Sequence, residues 1–333
     1  MAVLTERTAG QLLLAGFEGK EPSAEVRELI TDRSLAGVIL FARNCGDPYQ
    51  VLELTNSLQE IARRAGHSQP LLVAIDQEQG RVARLREGVT LFPAMGEIAA
   101  LDDPSLTARI AAAVSRELLA LGVNWNLAPV ADVLSTASCP VGDRSFGDDP
   151  ERVGQMTAAF VRGAEGAGMI SCLKHFPGHG GTDADSHFTV PRIEKSRREL
   201  EAVDFPPFRK GIDAGAAAVM TTHITFPAVD PSLPATFSPR VIGGLLRRDL
   251  GFPGVIVSDD LEMAGSAEKF SLNQGGILAL RAGVDLLLVS GMLLPQRDVP
   301  GLLDAVVSAV ASKAVDPQQV ELSLARLAGL KER

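Results

Sequence analysis

Two patterns of apolar and polar positions alternate along this chain. Short runs rich in leucine, isoleucine and valine, three to six residues long, recur at intervals. They read as strands at Leu12 to Gly16, Gly37 to Phe41, Leu71 to Ile75, Trp125 to Ala128, Ile170 to Leu173, Ala217 to Thr221, Val255 to Val257 and Val284 to Val289. Between them the apolar positions fall at helical spacing. These segments are Ser23 to Ser34, Tyr49 to Ala65, Leu106 to Leu121, Arg152 to Ala167, Ser196 to Ala214, Pro239 to Asp249 and Asn273 to Ala282. Ser23 and Ser196 supply side-chain oxygens for helix N-termini. Gly122, Gly168, Gly215 and Gly283 stand where helices must stop before the next strand.

Eight strands alternating with helices predict a parallel α/β architecture, and eight is the number that closes a (β/α)8 barrel. The competing open, doubly wound sheet calls for Gly-x-Gly-x-x-Gly after its first strand, and Gly16-Phe17-Glu18-Gly19 does not supply it. No change of composition or Pro/Ser/Gly-rich linker divides the chain. The expectation is one catalytic domain over residues 1–333, with a helical extension after about residue 297.

Composition narrows the function classes. Of the 333 residues, 46% are hydrophobic and 22% charged, as in a globular protein with a large core. The net charge of −9 comes with no basic stripe, which argues against a nucleic-acid partner. The apolar runs are too short to span a bilayer, and Met1 to Gly10 lacks the apolar core of a signal peptide. Cys45, Cys139 and Cys172 have no paired spacing, so reduced thiols in a cytoplasm are the expectation. No feature of the sequence sets the assembly state.

The chemistry concentrates at the ends of predicted strands. Residues 174 to 187 hold Lys174, His175, His179, Asp183, Asp185 and His187, interrupted by Pro177, Gly178, Gly180 and Gly181. Burying so many ionisable groups unpaired is costly, so the segment reads as a functional loop. Asp76, Glu78, Arg81 and Arg84 follow the third strand, and Asp132, Asp143 and Arg144 the fourth. His223 follows the sixth, and Asp259, Asp260 and Met263 the seventh. In a barrel all of these open on one face.

Each group also has a plain structural role to weigh. Asp76 and Asp259 could cap helices, Asp143 and Arg144 could pair locally, Arg84 could be solvated, and Asp132 and His223 could be structural. The histidine cluster could hold zinc or iron, although Pro177 and Gly178 prevent His175 and His179 from sharing a helix face. No Gly-x-Ser-x-Gly and no P-loop is present.

Five segments occur together and in order: Ile75-Asp76-Gln77-Glu78-x-Gly80-Arg81-Val82-x-Arg84, Gly142-Asp143-Arg144-Ser145-Phe146, Lys174-His175-Phe176-Pro177-Gly178-His179-Gly180, Asp185-Ser186-His187 and Ser258-Asp259-Asp260-Leu261-x-Met263. From about residue 10 to about 290 the chain resembles the family 3 glycoside hydrolases, and within them the single-domain cytoplasmic β-N-acetylhexosaminidases. The resemblance implies a (β/α)8 barrel that removes terminal β-linked N-acetylglucosamine by a retaining, two-step mechanism, without a cofactor or metal. It implies Asp259 as nucleophile and Asp185 with His187 as acid/base dyad. It places Asp76, Lys174 and His175 on sugar hydroxyls, and Arg84 and Arg144 on the sugar and its acetamido side. Met263 and His223 would line the pocket and His179 would support the loop.

One departure is Gln79, where the family typically has glycine; a positive φ there would strain a side-chain-bearing residue. Other readings are a family 3 phosphorylase or β-glucosidase, a metal-dependent hydrolase, and a non-catalytic sugar-binding barrel.

Overall fold

The computed structural model describes residues 4–184, 191–291 and 298–333. Eight parallel strands close a barrel in chain order: β1 Leu13–Ala15, β2 Gly37–Leu40, β3 Leu72–Ile75, β4 Trp125–Asn126, β5 Ile170–Phe176, β6 Ala218–Thr221, β7 Val255–Asp260 and β8 Leu286–Val289. The last pairs with the first, Leu13 opposite Leu287 and Ala15 opposite Val289. Almost every strand residue is buried, because side chains fill the barrel on one face and helices cover the other. That explains why these strands read as unbroken apolar runs rather than alternating ones.

Local chemistry sets the helix ends. Ser23 accepts from Val26 N at 3.3 Å. Ser196 and Glu199 form a reciprocal capping box. Gly283 closes the helix Leu272–Ala282 at φ 105°. The segment expected as one helix from Ser196 runs as Arg197–Glu199, a wider π-type stretch Leu200–Asp204, and Phe205–Asp213. Pro206 and Pro207 have no N–H to return to the preceding turn, so the winding there loosens.

The helix Val299–Ala311 packs on Leu272–Ala282 and completes the outer ring, so it belongs to the barrel rather than to an extension. The helix Pro317–Lys331 is the true addition. It covers the N-terminal end of the barrel, where fully buried Asp285 accepts from Ser323 Oγ at 2.8 Å, Arg326 Nη1 at 2.9 Å and Ile256 N at 2.8 Å. With that end closed, the C-terminal ends of the strands are left for a site.

The barrel register slips at two places. Between β5 and β6 it shifts between Leu173 and Phe176, which flank Lys174 and His175. Between β7 and β8 it shifts between Leu286 and Leu288, opposite the Val257 to Asp260 stretch that contains Asp259. Such irregularities re-aim side chains that regular pleating would direct elsewhere. No helix among the described residues is long and apolar enough to cross a membrane.

Candidate active site

A cavity of about 290 Å³ opens at the C-terminal end of the barrel. Asp76, Arg84, Arg144, Lys174, His175 and Asp259 all line it, as do His179 and Met263. Residues from four strand ends and their loops therefore converge, as their shared strand-end positions predicted.

Five charged side chains form the floor. Lys174, 3% exposed, places Nζ 2.7 Å from Asp76 Oδ1 and 2.5 Å from Glu78 Oε1. Arg144 grips Glu78 with two bonds, Nε to Oε2 at 2.7 Å and Nη2 to Oε1 at 2.8 Å. Arg84 approaches Asp76 Oδ2 at 3.4 Å and lies over the Phe41 ring, 5.6 Å from its centroid. Burial opposes the charge on Glu78, but Arg144 and Lys174 outweigh it and hold the carboxyl below its usual range. Asp76 is likewise held low against burial by Lys174 and Arg84. Lys174 is desolvated, yet Asp76 and Glu78 raise its pKa, so it stays charged.

A hairpin after β3, Gln77–Gln79 with Val82–Ala83, holds this cluster in place. Asn126 at the end of β4 pins Gln77 through both amide atoms, to Gln77 N and O at 3.1 Å each. Gln77 Oε1 then accepts from Arg84 N at 2.9 Å. Asp76 is followed by this hairpin and Asp259 lies within β7, so neither caps a helix. Gln79 does adopt φ 82°, the conformation that glycine tolerates better. Its Oε1 accepts from Phe92 N at 3.0 Å, which ties the strained residue down.

Asp132, expected to be merely structural, organises the next tier. It is fully buried, and Oδ1 accepts from His175 N at 3.1 Å and His179 N at 2.7 Å. Oδ2 lies 2.8 Å from His175 Nδ1. Burial would raise its pKa, but His175 and His179 bring it below the usual carboxylate range. His179 packs edge-on to His175 at 5.6 Å, and burial lowers the basicity of its own ring. Gly178, at φ 142°, leads into this loop; a Cβ there would lie 2.7 Å from Asp204 Oδ1.

Asp259 is partly exposed to the cavity, and its Oδ1 accepts from Asp260 N at 2.8 Å. Asp260 is buried at the edge of the cavity, accepting from Glu262 N and Ser290 N at 3.1 Å each and from the Ser290 hydroxyl. Burial, with nearby Glu262, pushes its carboxyl up to about 7.

One alternative falls away and one expectation needs correction. Arg144 pairs with Glu78 rather than Asp143, whose partner is Arg81 at 2.8 Å. His223 does not line the cavity; it is fully buried, contacting Asp260 O and Thr236 Oγ1 at 2.9 Å each and stacking on Phe237. Its placement beside a strand end could not reveal which side of the wall it occupies. Asp185 and His187 lie outside the described residues. Among the described residues, no three His, Cys, Asp or Glu side chains are grouped as a metal site would need. Glu78, Asp132 and Asp260 carried weaker sequence signals. Glu78 stands two residues from Asp76 along an extended segment, hence on the same side, and that spacing was the available clue.

The description glycosyl hydrolase family 3 N terminal domain matches residues 4–330. A β-hexosaminidase from Alkalilimnicola ehrlichii is 41% identical over 283 residues, 83% of this chain and 80% of that protein. A family 3 β-N-acetylglucosaminidase structure from Paenibacillus sp. superposes with a TM-score of 0.94 at 41% identity, over 99% of this chain but 62% of the longer Paenibacillus chain. A β-N-acetylhexosaminidase from Beutenbergia cavernae matches end to end, 100% of each chain, with a TM-score of 0.91 at 32% identity. The chain belongs to glycosyl hydrolase family 3 and is, by that membership, a glycoside hydrolase.

Proposed function

We propose that the chain is a retaining exo-β-N-acetylhexosaminidase that releases terminal β-linked N-acetylglucosamine, with peptidoglycan fragments in the cytoplasm as its source. The observation that carries this reading is a small cavity that Asp259 lines together with the Asp76–Lys174–Glu78–Arg144 cluster. About 290 Å³ is at the low end of ligand cavities, typically ~300–1,000 Å³, and suits one sugar ring better than an extended polymer. The names of the relatives above point the same way.

In the proposed reaction Asp259 attacks the anomeric carbon and the glycosidic oxygen leaves with a proton from His187. A glycosyl-aspartate results. His187, oriented by Asp185, then takes a proton from water, which attacks the same carbon and releases Asp259. A histidine suits both roles because its ordinary pKa is near neutral. Asp76 offers acceptor oxygens and Lys174 donor hydrogens to neighbouring sugar hydroxyls. Both are already fixed by ion pairs, so these contacts can tighten as the ring flattens without reorganisation.

The test is turnover of an aryl β-N-acetylglucosaminide, with and without phosphate. We expect free N-acetylglucosamine in both cases and no turnover by a folded Asp259→Ala variant. Sugar 1-phosphate as the product would identify a phosphorylase, and near-normal Asp259→Ala turnover would remove the nucleophile assignment.

A further inference from the structure

We propose that Asp132 is a positioning residue that fixes the protonation pattern of His175 and so decides which kind of hydrogen bond His175 offers the sugar. This rests on reading Lys174 and His175 as the sugar grip. The segment after β4 continues alongside β5 in parallel, with Lys174 N donating to Pro129 O at 3.2 Å and Ala131 N to Lys174 O at 2.7 Å. That pairing brings the Asp132 carboxylate to the His175 ring at a fixed depth. One oxygen is occupied by two backbone N–H groups, from His175 and His179. The other faces His175 Nδ1 at 2.8 Å.

An ionised carboxylate only accepts hydrogen bonds, so Nδ1 must carry hydrogen. Asp132 is fully buried and its carboxyl is held ionised, which makes that requirement strict. Nε2 is then the ring nitrogen left for the cavity that His175 lines. In the neutral ring it can only accept, and it becomes the complement of Lys174, which can only donate. The adjacent pair thus offers one acceptor and one donor to sugar hydroxyls. A structural aspartate holding only the loop would need just the two backbone bonds.

Asp132→Asn separates the two roles. The amide oxygen can still accept both backbone N–H groups, while the NH2 replaces the oxygen facing the ring. An NH2 can only donate, so Nδ1 must give up its hydrogen and Nε2–H must face the cavity. Turnover with a wrongly disposed ring should fall roughly 10- to 100-fold in kcat/KM, the range for one hydrogen bond to a charged or strongly polarised site.

The experiment is 15N NMR of the His175 ring at neutral pH in the wild-type protein and Asp132→Asn, combined with a kinetic cycle that adds His175→Ala and the double variant. We expect Nδ1 protonated in the wild type, Nε2 protonated and Nδ1 bare in Asp132→Asn, and almost no further loss when Asp132→Asn is added to His175→Ala. A bare Nδ1 in the wild type overturns the proposal whether or not the variants fold. So does an Asp132→Asn loss that persists undiminished in the His175→Ala background. The NMR arm does not use turnover, so an incorrect substrate assignment and an incorrect ring assignment give different results.

Discussion

Replacing Glu78 by Gln tests the charged floor of the cavity directly. The wild-type floor holds Lys174, Arg84 and Arg144 against Asp76 and Glu78. Glu78→Gln leaves those cations facing Asp76 alone, in a place where Lys174 and Glu78 are each 3% exposed. It also puts an NH2 against Arg144 or Lys174, where only an acceptor fits. Removing one partner of a buried ion pair typically costs ~3–5 kcal/mol. With an unfolding entropy of about 2.1 cal/mol/K per residue, 333 residues carry about 0.7 kcal/mol/K, so Tm should fall by roughly 4–7 °C.

The pH dependence has a definite sign. Glu78 has a folded pKa below its ordinary 4.5, so its stabilisation is complete above about 4.5 and is lost as pH falls through the folded value. The gap between wild type and Glu78→Gln should therefore be full at neutral pH and narrow in acid. Displaced Lys174 and Arg144 should lower kcat/KM by roughly 100-fold, as small misplacements of binding groups do. Scanning calorimetry at several pH values and steady-state kinetics read all three effects. An unchanged Tm at neutral pH, or a gap that widens in acid, would refute the reasoning.

Asp260 carries the opposite sign. Its carboxyl rises from an ordinary 3.8 to about 7, so its contribution is complete below 3.8 and is lost as pH rises through about 7. Across that interval Asp260→Asn should gain on the wild type by on the order of 4 kcal/mol; urea midpoints that keep a constant difference would count against the assignment. His187→Ala should slow substrates with poor leaving groups far more than activated aryl glycosides, because only the former need full protonation. Equal losses on the two substrate types would make His187 structural.

The barrel was legible because both faces of each strand are covered, which leaves apolar runs that contrast sharply with the helical segments. The convergence of Asp76, Lys174, His175, Arg144 and Asp259 was legible for a related reason: each follows such a run, and all strands of a parallel barrel point the same way. Partner choice was not legible. Arg144 stands next to Asp143 in sequence yet pairs with Glu78, 66 residues away, because the turn Gly142–Arg144 sends the two side chains to different neighbours. Asp132 and His223 show the same limit. One looked structural and proved to hold a cavity residue; the other looked like a cavity residue and lies behind the wall. Sequence position marks the strand end, while packing decides which way a side chain faces. The helix Val299–Ala311 was set apart from the barrel because the last strand is followed by a long segment without a clear periodic start.

The most direct test of the central claim is to trap the enzyme with a slow 2-deoxy-2-fluoro or 5-fluoro glycoside and map the labelled residue by peptide mass spectrometry. The account predicts one sugar per chain, bound through an ester to Asp259. A label on Asp260 or Asp76, or turnover with inverted anomeric configuration and no covalent adduct, would contradict it.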